Sequence, residues 1–291
     1  MLSFAFFLLL VADWQPDQAA LIFTATVQGK NHLFLRSASG EVTNLTPESG
    51  KENWAHPHPN GQSILFQSQR DGSYDLFQMS LSDRHWIPLA THTRHDGLAI
   101  WHPNGTQIAF FSARDFEYPP QGPIPGHVYL LTNGENPKQI TQTRLESTLG
   151  PSSWSPDGKS LLISRSSGNH LELFQLNIAN GQEKLVSASE ISKSSGLYAH
   201  QQPYIAFSSE QDTGAEVWVM DTQGQNARVL AKGEGHYYPY AWSPNDEWVS
   251  MTWYPSDWNH AELQCVHVAT GKIVVLIQEN NAREGNWLAQ P

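Results

Sequence analysis

A five-residue frame recurs along the chain at nearly constant spacing and restricts the fold to a repeat architecture. Its clearest copy is Trp154-Ser155-Pro156-Asp157-Gly158, followed by the apolar pair Leu161 and Ile163. The frame returns as Trp14-Gln15-Pro16-Asp17-Gln18, Pro57-His58-Pro59-Asn60-Gly61, Trp101-His102-Pro103-Asn104-Gly105 and Trp242-Ser243-Pro244-Asn245-Asp246, with a worn copy at Tyr198. Positions 14, 57, 101, 154, 198 and 242 are separated by 43, 44, 53, 44 and 44 residues. A fixed period of roughly 40 to 45 residues is that of a propeller, one blade per repeat.

Each repeat is all-β by its own chemistry. Pro fixes φ and Asp/Asn-Gly supplies the positive φ of a tight reversal. An alternating strand is expected next, as in Ser63–Gln67 and Gln107–Phe111, then a polar turn and a third alternating strand, Asp75–Met79 or Glu216–Met220. A short fourth strand such as Ala227–Leu230 completes four. Second strands starting near residues 19, 62, 106, 159, 203 and 247 make six blades. Inner-strand stubs number seven, because Gly285–Pro291 resembles Asn53–Pro57. Residues 282 to 291 are therefore expected to be the inner strand of the blade built from residues 19 to 46. Such a closure leaves the ring no long exposed edge. The expectation is an all-β, six-bladed propeller of four-stranded blades.

The frame Pro-x-x-Trp-Ser-Pro-Asp-Gly-x-x-Ile, then Ser-x-Arg-Asp-Gly, then an Asp/Glu-Leu/Val-Phe/Trp-x-Met strand, resembles the TolB-type propeller repeat. Pro151–Ile163, Ser68–Met79 and Pro239–Met251 carry it best, and the match runs from about residue 14 to 291. It covers the propeller alone, with no counterpart here of the α/β domain that precedes it in TolB. The resemblance implies a binding or scaffold propeller, exported to the periplasm or beyond. The same repeat forms the regulatory propeller of prolyl-oligopeptidase-like peptidases and the body of oligogalacturonide lyases. The second of these implies an alternative, a metal-dependent lyase or hydrolase with a His/Gln site in the central channel.

Residues 13–291 are read as one propeller, since 291 residues with 39% hydrophobic content suit a single large ring. The net charge of −11 excludes nucleic acid and anionic membrane as partners, because both need a basic footprint. A protein segment or a carbohydrate fits better, and a monomer is expected. Residues 1–12 hold an apolar run, Leu2 to Val11, of signal-peptide length and too short to span a bilayer. Cleavage after Ala12 would leave a periplasmic or secreted protein beginning at Asp13. If the segment stays, the protein is cytoplasmic and Leu8 to Asp13 serves as an inner strand. The single Cys265, within Leu263–His267, forms no internal disulfide and reads as a buried apolar residue.

No Gly-x-Ser-x-Gly elbow and no phosphate-binding glycine loop appears. Thirteen histidines raise a metal question. His56, His200, Gln202 and His236 fall on or near inner strands, where residues distant in sequence converge, so a divalent cation in the channel is the alternative to no cofactor. His58 and His102 replace Ser of the turn frame and read as turn fillers on the opposite rim. The rim carrying the loops that enter the inner strands is richer. It gathers Trp54, His95, Asp96, His236, Tyr237, Tyr238, Arg283 and Glu284, with Arg114 beside them. An insertion, Asp115–His127, holds Tyr118 and His127 and accounts for the 53-residue spacing. A second aromatic loop, Tyr254–His260, holds Trp258. Exposed aromatics with mixed charge on a rigid scaffold are where recognition sits, so these twelve residues form the expected binding surface and none is expected to be catalytic.

Overall fold

The Pro-Asp/Asn-Gly frames fold as expected. In a computed structural model, Gly158 N–H donates to the Ser155 carbonyl and Gly105 N–H to that of His102, each at 2.8 Å. Asp157 Oδ1 accepts the Lys159 N–H at 3.1 Å and pins the turn. The structure describes residues 15–70, 72–117, 122–132, 134–146, 150–167, 170–187, 191–211 and 214–288. The expected signal segment, Asp13 and Tyr118 lie outside these residues.

The turns join six antiparallel sheets. Blade 1 comprises Arg283–Trp287, Leu21–Val27, Lys30–Arg36 and Val42–Asn44; blade 2 comprises Glu52–Pro57, Ser63–Ser68, Asp75–Ser80 and Trp86–Ala90. Blade 3 starts at Asp96–Trp101, blade 4 at Pro151–Trp154, blade 5 at Lys193–Tyr198 and blade 6 at His236–Trp242. Each of these inner strands packs against the next, and the strand of blade 6 packs against Arg283–Trp287, which closes the ring. The closing strand pairs Leu21 with Trp287 and Ile22 with Asn286.

The core lies between the blades rather than within them. Six apolar clusters fill six seams. Ile64 and Phe66 point into the seam with blade 1, while Leu65 points into the seam with blade 3. Phe110 and Phe111 divide likewise between the seams on either side of blade 3. Second strands are thus buried on both faces, so they read as continuous apolar runs instead of alternating. Cys265 is buried in the seam between blades 6 and 1.

The insertion differs from the expectation that residues 115 to 127 form one loop. The third strand of blade 3 begins at Pro125 and runs to Thr132, and Pro125 and Gly126 also pair with Glu146 and Leu145. Backbone donors that a loop would leave to water are taken up by a short extra strand, Leu145–Glu146.

Candidate functional site

Inner strands position the site through a repeated irregularity. Trp54, Leu98, Ser195 and Glu284 all have φ between 52° and 59°, the left-handed region that side chains seldom adopt. The ladders of their strands shift register around these positions. An extra residue in a strand re-aims its side chain, and all four residues line the central channel. The channel encloses about 650 Å³. It runs from Trp54, Tyr238 and Glu284 at the loop rim to Pro59, Pro103 and Pro156 at the turn rim.

Glu284 is buried and its charge is used inside the fold. One carboxylate oxygen accepts the Thr24 hydroxyl at 2.6 Å and the Trp54 N–H at 2.8 Å. Its own N–H donates to Thr252 Oγ1 at 3.2 Å, so one residue ties blade 6, the closing strand and blade 2. Asn286 Nδ2 adds a bond to the Ala55 carbonyl at 2.9 Å. Arg283 donates to Thr26 Oγ1 and to the Asn281 carbonyl, each at 3.1 Å.

Several expected surface residues are likewise internal. Asp96 is fully buried and pairs with Arg114 at 3.1 Å; burial raises its pKa, against the pull of Ser112 and Arg114. The Arg114 guanidinium lies 4.6 Å over the Tyr129 ring. His95 sits edge-on to Tyr74 and Phe111, and burial lowers its pKa to about 4. His127 packs against Phe116, its pKa also lowered by burial. Tyr237 belongs to the seam between blades 5 and 6, buried with Leu197 and Val249. Its neighbour Tyr238 takes the channel side, as alternate residues of a strand must.

What remains at the loop rim is an aromatic face built by blade 6. His236 lies 4.2 Å from Trp258, Tyr254 5.0 Å from it and Tyr238 6.2 Å, all tilted by 31° to 33°. Trp258 is 51% exposed and is held with φ 56° after a turn from Pro255. On the channel wall, Trp54 and Tyr240 meet at 5.4 Å. The Tyr238 hydroxyl donates to Glu210 Oε1 at 3.1 Å. Burial, and then Glu284, push the Tyr254 hydroxyl up to about 12; burial and Glu210 push Tyr238 higher still. Tyr254 lies in the loop singled out from sequence, but Glu210 had no signal: a lone acid at the end of a second strand.

His56 and His200 line the channel, whereas Gln202 and His236 do not. His56 Nδ1 is 3.2 Å from the Pro57 carbonyl, and burial lowers its pKa to about 4. His200 Nε2 is 3.3 Å from the Trp242 carbonyl. Among the described residues no group of three or more His, Cys, Asp or Glu could hold a metal ion.

The turn-rim histidines do more than fill turns. His58 Nδ1 accepts the Asn60 N–H at 3.1 Å, so its Nε2 carries the proton and donates to the Gly105 carbonyl at 3.0 Å. His102 repeats this toward Gly158. Asp246 performs the same latching between blades 6 and 5, accepting the N–H groups of His200, Gln201 and Gln202 at 2.8, 2.6 and 2.9 Å.

No family model and no curated protein matches the chain. Solved structures do. TolB from Acinetobacter baumannii aligns with a TM-score of 0.78 at 15% identity, over 93% of this chain and 66% of that one. A protein described as TolB from Agrobacterium tumefaciens aligns at 0.71 and 17% identity, over 92% and 91%. Oligogalacturonate lyase in complex with manganese aligns at 0.52 and 14% identity, over 89% and 72%. The present chain spans just under two thirds of the A. baumannii protein. By these matches, with the strand order and closure above, the chain has the TolB-like six-bladed propeller fold.

Proposed function

We propose that this protein is a non-enzymatic binding propeller that engages a protein segment or a glycan at its loop rim and channel mouth. The observation that carries this reading is the aromatic face of His236, Tyr238, Tyr254 and Trp258, which opens onto the channel lined by Trp54 and Tyr240. Exposed tryptophan held by a left-handed backbone on a rigid ring supplies contact area at little entropic cost. Of the expected rim residues, Arg283 and Glu284 lie on the strand next to blade 6, whereas His95, Asp96, Arg114 and His127 belong to blade 3, across the ring from that surface. Export to the periplasm or beyond, as a monomer, completes the reading. It rests on the Leu2–Val11 run and the TolB-like fold, and among the described residues no helix is long and apolar enough to cross a membrane.

Panning a random linear peptide library and a glycan array on the purified protein tests the proposal. Binders should be enriched by the unaltered protein and lost with a Tyr238→Ala/Trp258→Ala variant of unchanged melting temperature. Enrichment that survives the double substitution would refute the choice of face, and no enrichment in either format would refute the binding function.

A further inference from the structure

The chemistry of the aromatic face selects among occupants. Trp258 offers the ring type that holds a cation best, with Tyr254 alongside it at 5.0 Å. Next to Trp258, Tyr238 reaches Glu210 through its hydroxyl, which fixes a carboxylate one ring away from the exposed indole. Glu210 is exposed, and among the described residues no cation pairs with it. The nearest arginine of the closing strand, Arg283, is occupied by Thr26, Asn281 and Glu284. The neighbouring loop adds Asp257, whose oxygens are taken up by Asn259, and the imidazole of His260 against Trp253, but no lysine or arginine. Burial first, and then Glu210 at Tyr238 and Glu284 at Tyr254, raises the two hydroxyls.

A sugar would stack on the rings and donate hydroxyls to the carboxylate beside them, but would leave its charge unneutralised. A guanidinium also neutralises it, because its plane stacks on an aromatic face while its N–H fork meets a carboxylate. We propose that this face seats an arginine side chain of a protein segment, its guanidinium lying on Trp258 and Tyr254 and paired with Glu210. This rests on the binding function proposed above and narrows it to a basic segment, in keeping with a net charge of −11.

The test uses blocked Gly-Ser peptides carrying arginine, citrulline or glutamate at two central positions. The readout is the indole N–H resonance of Trp258, assigned through Trp258→Phe. The arginine peptide should shift that resonance, with citrulline, of equal shape and no charge, at least about fivefold weaker. Glu210→Gln should weaken the arginine peptide at least about threefold and leave citrulline unchanged. Raising salt from about 50 to about 500 mM should weaken the arginine peptide alone. Equal binding of arginine and citrulline, or arginine-peptide shifts of the backbone amide resonances of residues 236 to 238 that keep their affinity in Trp258→Ala, would overturn the inference while leaving the binding face in place. A Trp258 shift produced by N-acetylglucosamine oligomers and by no peptide would do the same and make the face a glycan site. No shift of any rim resonance with either probe class would overturn both the inference and the function on which it rests.

Discussion

Asp246→Ala should be among the most damaging single changes on the turn rim, although the residue touches no proposed ligand. The carboxylate is buried and collects three backbone N–H groups from the 200–202 turn of the adjacent blade. Hydrogen bonds to a charged acceptor are worth about 1.5 to 3 kcal/mol each. Gln201 and Gln202 are exposed, so water replaces part of what is lost and roughly 3 kcal/mol in total is the better figure. Asp246 also sits at φ 57°, where Asp is tolerated and Ala costs about 1 kcal/mol more. At about 2.1 cal/mol/K per residue, an entropy of unfolding near 0.6 kcal/mol/K turns 4 kcal/mol into a fall of about 6 to 7 °C. Calorimetry and urea unfolding would read this, with the urea slope unchanged. Asp246→Gly relieves the backbone term alone and should recover about 1 kcal/mol. Asp246→Asn keeps one acceptor oxygen and should fall between. A melting temperature for Asp246→Ala within 1 °C of the unaltered protein, measured with about that precision, would show that the blades hold without this latch.

Other consequences follow from the same geometry. Truncation after Ala282 removes the closing strand with its buried Trp287 and should cost several kcal/mol, read as loss of the cooperative melt; an unchanged melt would remove the closure argument. Gly158→Ala would press a Cβ into the His102 imidazole at φ 69°, and should cost about 2 to 3 kcal/mol, partly restored when His102→Ala is added. His56 and His95 are neutral in the fold because burial lowers their pKa to about 4, while the unfolded chain takes up their protons below its ordinary value near 6.5. Stability should therefore fall as pH drops from 6.5 to about 4, and His56→Gln should flatten that decline in urea midpoints taken across the range. Trp258→Ala, on an exposed loop, should leave the melt within about 0.5 kcal/mol of the unaltered protein.

The blades were legible because their information is local. A Trp-x-Pro-Asp-Gly turn and the apolar run after it lie within one repeat, and Trp154 and Trp242 sit where the period places them. The closing strand was legible too, since residues 285 to 291 copy a stub that already had six other copies. What stayed hidden lies between repeats. Asp246 grips a turn 44 to 46 residues earlier, Glu284 grips Trp54 across 230 residues, and no spacing encodes these bonds. Which face each inner-strand residue takes was hidden for a related reason. One bulge reverses the alternation, so Tyr237 went into a seam and Tyr238 to the channel, and Asp96 and Arg114 satisfy each other inside instead of waiting at the rim. Candidate aromatics in the Tyr254–His260 loop were readable from composition, whereas Glu210 becomes a candidate only when Tyr238 is seen to reach it.

Photo-crosslinking decides most directly which face works. A benzoylphenylalanine at position 256 on the loop rim, beside Trp258, and separately at position 104 on the turn rim, would be irradiated with the peptide or glycan enriched by panning. Recognition at the channel mouth predicts an adduct from position 256 and none from 104. An adduct from 104 alone would contradict it and move the working face to the rim latched by His58 and His102.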